Sequence, residues 1–71
     1  MKRDVMKIIL NGEEKAFYSP VTVTDLLADM GMRDKRVAVE VNLEIVPRSE
    51  HGQFQLKNAD RVEVVHAIGG G

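Results

Sequence analysis

Hydrophobic and polar side chains alternate in two short stretches near the start of the chain, on either side of a turn signal. Residues 6–10 place Met6, Ile8 and Leu10 on one face of an extended strand and the intervening side chains on the other. The pair Asn11-Gly12 tolerates the positive φ angles of a two-residue hairpin turn. The pattern therefore predicts a β-hairpin with strands at residues 6–10 and 13–18.

A short amphipathic helix is predicted next. Pro20 ends the second strand, Thr22 is a typical N-cap, and Asp25 stands at the spacing of a capping box. Gly31 is typical of the position that follows a helix. A helix of about nine residues is not stable alone, so its apolar side must pack against a sheet. The apolar residues on that side are Val23, Leu26, Leu27 and Met30.

Two further strands complete the pattern. Residues 37–42 alternate, with the side chains of Val37, Val39 and Val41 on one face. Residues 61–67 form the last predicted strand, with Val62 and Val64 inward. Between these strands we expect a turn with a short extended piece at 42–47, an irregular segment with room for one helical turn at 48–56, and a polar turn at 57–60.

The element order is strand, strand, helix, strand, irregular crossing, strand. A mixed sheet of four to five strands packed on one main helix is the compact arrangement of these elements, which is the β-grasp fold of the α+β class. Its first and last strands are neighbours, which would place Ile9 near Val65 on the uncovered face. We expect a single domain over residues 1–71, with an N-terminal extension at 1–5 and a flexible C-terminal tail at 68–71.

Composition and charge narrow the function. The chain has 71 residues and contains no cysteine, which fits one small domain in a reducing cytoplasm. The formal net charge is -1, and the basic residues are interleaved with acidic ones, which argues against a nucleic-acid partner. No apolar stretch is long enough for a signal peptide or a membrane span, so we expect a cytoplasmic protein without a membrane partner.

The polar residues do not suggest an internal active site. His51 and His66 lack metal-ligand spacing and are read as surface or sheet-edge residues, although His66 precedes the tail and could touch a partner. Glu13 and Glu14 are adjacent on a strand, so their carboxylates point to opposite faces. The other glycines are isolated and form no phosphate-binding loop. We therefore expect a protein that is not an enzyme by itself and binds neither metal nor cofactor.

The C-terminus carries the strongest signal. Three glycines follow Ile68, a run with a chance probability of roughly 3 in 10,000 at average glycine usage. One interpretation is a frayed end or a cloning remnant. The other is functional: a backbone without Cβ atoms enters a narrow channel and presents the α-carboxylate of Gly71. An enzyme that uses ATP could activate this carboxylate as an acyl-adenylate.

Four stretches of the sequence form a family pattern: LNGEE at the first hairpin, TVTDLL at the helix start, VAVEVNLEIVPR at 37–48 and DRVEVVHAIGGG at 60–71. Together they resemble the ThiS family of small ubiquitin-like sulfur carriers of thiamine biosynthesis. The resemblance covers the chain from Met6 onward. The third stretch is the most specific, because terminal glycines are shared by many ubiquitin-like proteins.

The resemblance implies a chemistry and a set of partners. In the family, the terminal glycine carboxylate is adenylated with ATP by a ThiF-type adenylyltransferase. It is then converted to a thiocarboxylate with sulfur drawn from cysteine through a cysteine desulfurase, and the thiocarboxylate donates this sulfur to the thiazole synthase ThiG. By position, Gly71 would be the modified residue, and the tail residues Ile68, Gly69 and Gly70 would thread into the partner.

Outward residues beside the tail suggest where partners dock. An apolar docking patch is expected at Ile9, Ala38, Val65 and Ala67, although scattered surface apolar residues are also normal. Arg48 is either solvated or orients the carrier on its partner. Three other functions stay open: a related carrier for molybdopterin synthesis or tRNA thiolation, a ubiquitin-like protein modifier, and a β-grasp binding module with an inert tail.

Overall fold

The backbone hydrogen bonds define five strands and one α-helix in residues 4–66, the part of the chain that the computed structural model describes. Both predicted hairpin strands, the helix and the two later strands are confirmed, with shifts of a residue or two at their ends. The elements are β1 (Val5–Leu10), β2 (Glu13–Tyr18), α1 (Val23–Asp29), β3 (Val37–Val41), β4 (Glu44–Ile45), a 3-10 helix (Arg48–Glu50) and β5 (Arg61–His66).

The strands form one mixed sheet in the order β2-β1-β5-β3-β4. β1 and β5 pair in parallel, whereas the other neighbours are antiparallel. The predicted β-grasp arrangement is therefore confirmed, with β4 as the fifth strand. β5 lies at the centre of the sheet because the chain crosses from one side to the other before it forms this strand.

The core lies between one face of the sheet and α1. Alternate residues of each central strand point into it, as the period of two predicts. The side chains of Ile8, Val23, Leu26, Val39 and Val62 are completely buried. Complete burial of such a side chain stabilises the fold by about 1.5 to 3 kcal/mol. A helix as short as α1 is not stable alone, so its packing against the aliphatic side chains of the sheet is what stabilises it.

Side chains at its N-terminus fix where α1 begins. The Oγ1 atom of Thr22 accepts a hydrogen bond from the Asp25 backbone N–H at 3.1 Å, and the Asp25 carboxylate accepts one from the Thr22 N–H at 2.9 Å. This is the predicted capping box. At the other end, Gly31 adopts a φ of +72°, the left-handed conformation expected of a glycine that follows a helix.

Two asparagines in hairpin turns hold β5 from its two sides. The side-chain amide of Asn11 donates to the Val64 carbonyl at 3.2 Å and accepts from the Val64 N–H at 2.8 Å. Asn42 accepts from the Arg61 N–H at 2.9 Å and donates to the Asp60 carboxylate at 3.0 Å. Both asparagines have positive φ, at +50° and +53°. Each turn therefore also serves as a side-chain anchor for the central strand.

Leu43 is strained, and we predict that relieving the strain stabilises the protein. Its φ is +71° and its side chain is 80% exposed, so burial offsets little of the strain. The left-handed conformation costs an L-residue roughly 1 to 2 kcal/mol, which glycine avoids. Leu43→Gly should therefore raise the free energy of unfolding by about 0.5 to 1 kcal/mol in a urea titration. Leu43→Ala keeps the Cβ atom and should bring no such gain; equal stabilisation by both variants would contradict this explanation.

Candidate functional site

The candidate site begins at the end of β5, the strand that leads toward the predicted tail. Val62 and Val64 are buried beneath α1, while Glu63 and Val65 point to the uncovered face, as predicted. β5 ends at His66. Four predicted site residues of the tail, together with Ala67 of the docking patch, lie outside the described residues: Ile68, Gly69, Gly70 and Gly71.

Two residues of the expected docking patch are direct neighbours. Ala38 on β3 and Val65 on β5 are Cα partners in the antiparallel pairing, so their side chains share the uncovered face. Ala38 is half-buried and Val65 is 56% exposed. They form an apolar pair, which we call the Ala38–Val65 patch, one residue before β5 ends.

The expected position of Ile9 near Val65 is wrong. Ile9 is half-buried and is the Cα partner of Arg61, at the beginning of β5. Val65 lies four residues further along β5, which is about 13 Å at about 3.3 Å per residue. The reason is the stagger of the two parallel strands, since only the last residues of β1 pair with the first residues of β5. The alternation pattern assigned the face of Ile9 but not this register.

An acidic row lies next to the Ala38–Val65 patch. Glu40 on β3 faces Glu63 on β5 as its Cα partner, and Ile45 on β4 is opposite Glu40 on the other side. Carboxylates directly opposite each other in a sheet repel. The ion pair found within residues 4–66 joins other residues, Lys7 and Glu14. The neighbours of the patch on β3 and β5 are therefore two carboxylates, while the exposed Arg61 follows on the same face of β5.

Sequence reasoning missed Ile45 as part of this surface. Ile45 is 67% exposed and is the Cα partner of Glu40, near the end of β3. The available signal was an apolar residue in the short extended piece that follows the turn at Asn42. Without the pairing register, that residue could not be assigned to the uncovered face.

The expectation that His51 is a surface residue is also wrong. Its side chain is 7% exposed, and its Nε2 atom lies 3.1 Å from the Val46 carbonyl oxygen. Its own carbonyl accepts a hydrogen bond from the Thr24 N–H at 3.1 Å. His51 therefore links the irregular segment to α1 and to the chain that follows β4. The segment lacks a period, so its sequence carried no signal of this burial.

The other histidine and the remaining polar candidates are at the surface. His66 is exposed at the end of β5. Arg48 is exposed on the 3-10 helix, and Glu14 makes an exposed ion pair with Lys7 at 3.8 Å. Such a pair contributes between about 0 and 1 kcal/mol. In residues 4–66 no three histidine, aspartate or glutamate side chains lie close enough to hold a metal ion, and no described helix is long and apolar enough to cross a membrane.

A family comparison covers almost the entire chain. The model of the ThiS family matches residues 8–71, from the middle of β1 to the last glycine. A sulfur carrier protein ThiS of Bacillus subtilis is 36% identical over 63 residues, which are 87% of this chain and 96% of that protein. The similarity therefore extends over nearly the full length of a sulfur carrier.

A solved structure and a longer relative add to this result. The crystal structure of a thiamine biosynthesis protein (ThiS) of Geobacter metallireducens superposes with a TM-score of 0.80 at 29% identity, covering 93% of this chain and 100% of that one. A thiazole synthase of Paramagnetospirillum magneticum is 47% identical over 66 residues, which are 93% of this chain but 20% of the synthase. The chain thus spans a fifth of that relative.

We predict that His51 is structural and that His66 is not. His51→Ala removes a buried ring and leaves the Val46 carbonyl without this partner, which should lower the free energy of unfolding by about 1 to 3 kcal/mol. His66→Ala, at an exposed site, should change it by less than about 0.5 kcal/mol. Urea titrations of both variants measure the difference. Equal effects of the two variants would mean that the His51 contact does not stabilise the fold.

Proposed function

Since the chain belongs to the ThiS family of sulfur carriers, we propose that its terminal carboxylate, on Gly71, carries sulfur as a thiocarboxylate for thiazole formation in thiamine biosynthesis. The observation that supports this most is the extent of the family match. It runs to residue 71 and so includes the three glycines. The fold agrees, because a solved ThiS structure has the same arrangement of elements.

The proposed chemistry starts from an unreactive group. A terminal carboxylate has a pKa near 3.3 to 3.7, so at neutral pH it is ionised and is a poor electrophile. A ThiF-type adenylyltransferase would join it to the AMP part of ATP and release pyrophosphate. The outer sulfur of a persulfide, formed from cysteine by a desulfurase, would then attack the carbonyl carbon and displace AMP. A thiol reductant would cleave the resulting acyl disulfide, itself ending as a disulfide, and leave the thiocarboxylate. ATP is bound by the partner in this scheme, and the carrier supplies the substrate rather than the catalytic groups.

The body and the tail have different roles in this proposal. The sheet and α1 form a packed body that stays outside the partner. Gly69 and Gly70 would follow Ile68 into a channel that is too narrow for side chains, and three residues reach about 10 Å when extended. The reacting carboxylate then arrives at the partner's catalytic groups, and this chain supplies none of those groups.

Thiazole synthase is the acceptor that the comparisons favour. A sequence similar to this chain forms part of a thiazole synthase of Paramagnetospirillum magneticum and of another in Magnetococcus marinus. A carrier-like sequence within the same polypeptide as the synthase supports a direct partnership between the two functions. This observation ranks thiazole formation above molybdopterin synthesis and tRNA thiolation as the destination of the sulfur.

The Ala38–Val65 patch is our proposed docking surface for these partners. It is apolar, lies on the uncovered face and precedes the tail, with Ala67 continuing the outward pattern of β5 in the sequence. Ile9 is separated from it by the register and is not included. The neighbouring Glu40 and Glu63 would suit a partner with basic side chains at the edge of the contact.

The central prediction is exchange of one oxygen for sulfur at Gly71. The full chain is incubated with a ThiF-type adenylyltransferase, ATP, a cysteine desulfurase, cysteine and a thiol reductant, and its intact mass and fragment masses are measured. Gly70→Leu adds a branched side chain where the channel leaves no room, so this matched variant should stay unmodified. An unchanged mass of the natural chain with enzymes that modify their own carrier would contradict the proposal.

Further readouts separate the alternative functions. Transfer of sulfur from the modified chain to molybdopterin synthase but not to thiazole synthase would favour the related carrier. Larger species joined through isopeptide bonds would indicate a protein modifier. Function that is unchanged when Gly71 is removed would indicate a binding module with an inert tail.

We predict that docking depends on Val65 but not on Val5. Both are exposed valines on the uncovered face, at 56% and 57%, but the register places them about eight residues apart along the sheet, roughly 26 Å. Val65→Asp should weaken binding to the adenylyltransferase by about tenfold or more, because an unpaired charge would be buried in the contact. Val5→Asp is the matched control and should bind normally in calorimetry. Equal losses in both variants would place the docking surface elsewhere.

A further inference from the structure

Asn11 does more than form a turn. The backbone N–H groups of Ile9 and Asn11 donate to the carbonyls of Asp60 and Val62 at 2.9 Å each, which are successive rungs of the parallel pairing between β1 and β5. The chain then reverses at Gly12, so β1 provides no backbone for the next rung. The Asn11 side-chain amide takes that place and bonds both the N–H and the C=O of Val64.

The Asn11 contact lies at the part of β5 that would otherwise be hydrogen-bonded by β3 alone. Up to Val62, β5 is paired with β1 and β3, but beyond Val62 β1 has ended and β3 continues to pair with β5 as far as His66. The Asn11 amide thus supplies the second-side contact to β5 two residues before the strand ends. A peptide-like group on a side chain substitutes for the missing strand.

From this geometry we infer that Asn11 is a positioning residue for delivery of the tail, an inference that rests on the proposed function. It fixes Val64 and hence the point and direction from which the chain leaves the sheet. Without the amide, Val64 and the residues that follow gain backbone freedom, which must be lost again each time the tail enters a partner. Asn11 touches no reacting atom in this role.

Asn42 provides a matched control at the opposite end of β5. Its side chain also makes two hydrogen bonds, to the Arg61 N–H and the Asp60 carboxylate, and its φ is also positive. Glycine tolerates both conformations, so Asn11→Gly and Asn42→Gly each remove two hydrogen bonds without turn strain. The two variants differ in which end of β5 they release.

The first measurement needs no partner. Amide hydrogen exchange of the full chain is measured by NMR. In Asn11→Gly, exchange should accelerate about tenfold at Val64 and at the residues that follow it in β5. In Asn42→Gly, it should accelerate at Arg61. Asn11→Asp keeps an acceptor for the Val64 N–H but loses the donor to the Val64 carbonyl, so it should accelerate exchange at Val64 less than Asn11→Gly does. Unchanged protection of Val64 in both Asn11 variants would overturn the anchoring role.

The second measurement is adenylation of the full chain by a ThiF-type adenylyltransferase. Asn11→Gly should lower kcat about fivefold with little change in KM, whereas Asn42→Gly should leave kcat as in the natural chain. A loss of stability alone would act differently. The chain is the substrate in this assay, so a smaller folded fraction lowers the effective substrate concentration, which raises the apparent KM and leaves kcat unchanged. A natural kcat in Asn11→Gly, or equal kcat losses in the two variants, would overturn the inference. If the natural chain itself is never adenylated, the proposed function fails and delivery by Asn11 fails with it, while the exchange data still report whether the anchor exists.

Discussion

The pairing of β5 between β1 and β3 is the constraint on which the rest of the structure depends. β5 joins the N-terminal hairpin to the β3–β4 half of the sheet, and Val62 and Val64 on it are buried in the core. A chain of 71 residues has little other apolar area to bury. If β5 were released, β1 and β3 would lose their common neighbour and α1 would lose part of the surface on which it packs. The strand nearest the proposed reactive end is thus also the strand that holds the domain together.

The two faces of the sheet have separate chemistry. The covered face is aliphatic, and its packing against α1 gives the short helix its stability. The uncovered face carries the Ala38–Val65 patch beside the opposed carboxylates of Glu40 and Glu63, an arrangement that adds nothing to the core and repels across the strands. These residues lie beside the proposed tail and do not stabilise the fold. Such a surface is suited to contact with another protein.

The same central position that stabilises β5 also serves the proposed delivery of sulfur. A carrier must present a terminus that is slender enough to enter a partner, yet the body must hold that terminus in a defined direction. Fixing β5 as far as its last residue achieves this, because the body then defines where the tail begins. The side-chain amides of Asn11 and Asn42 add hydrogen bonds to the backbone of β5 that strand pairing alone does not provide.

The sequence by itself determined the elements, and only the tertiary structure decided how distant elements meet. Local signals were sufficient for the hairpin at Asn11-Gly12, the capping box at Thr22 and the inward faces of the strands, because turn chemistry, capping and alternation involve neighbours in the chain. The element order then sufficed for the β-grasp fold, and resemblance sufficed for the ThiS family. The position of Ile9 beside Arg61, the burial of His51 and the place of Ile45 on the uncovered face did not follow, nor did the bonds from Asn11 to Val64. Each of these depends on the register between strands or on the path of an aperiodic segment, and a period of two specifies the face of a residue but not its partner across the sheet.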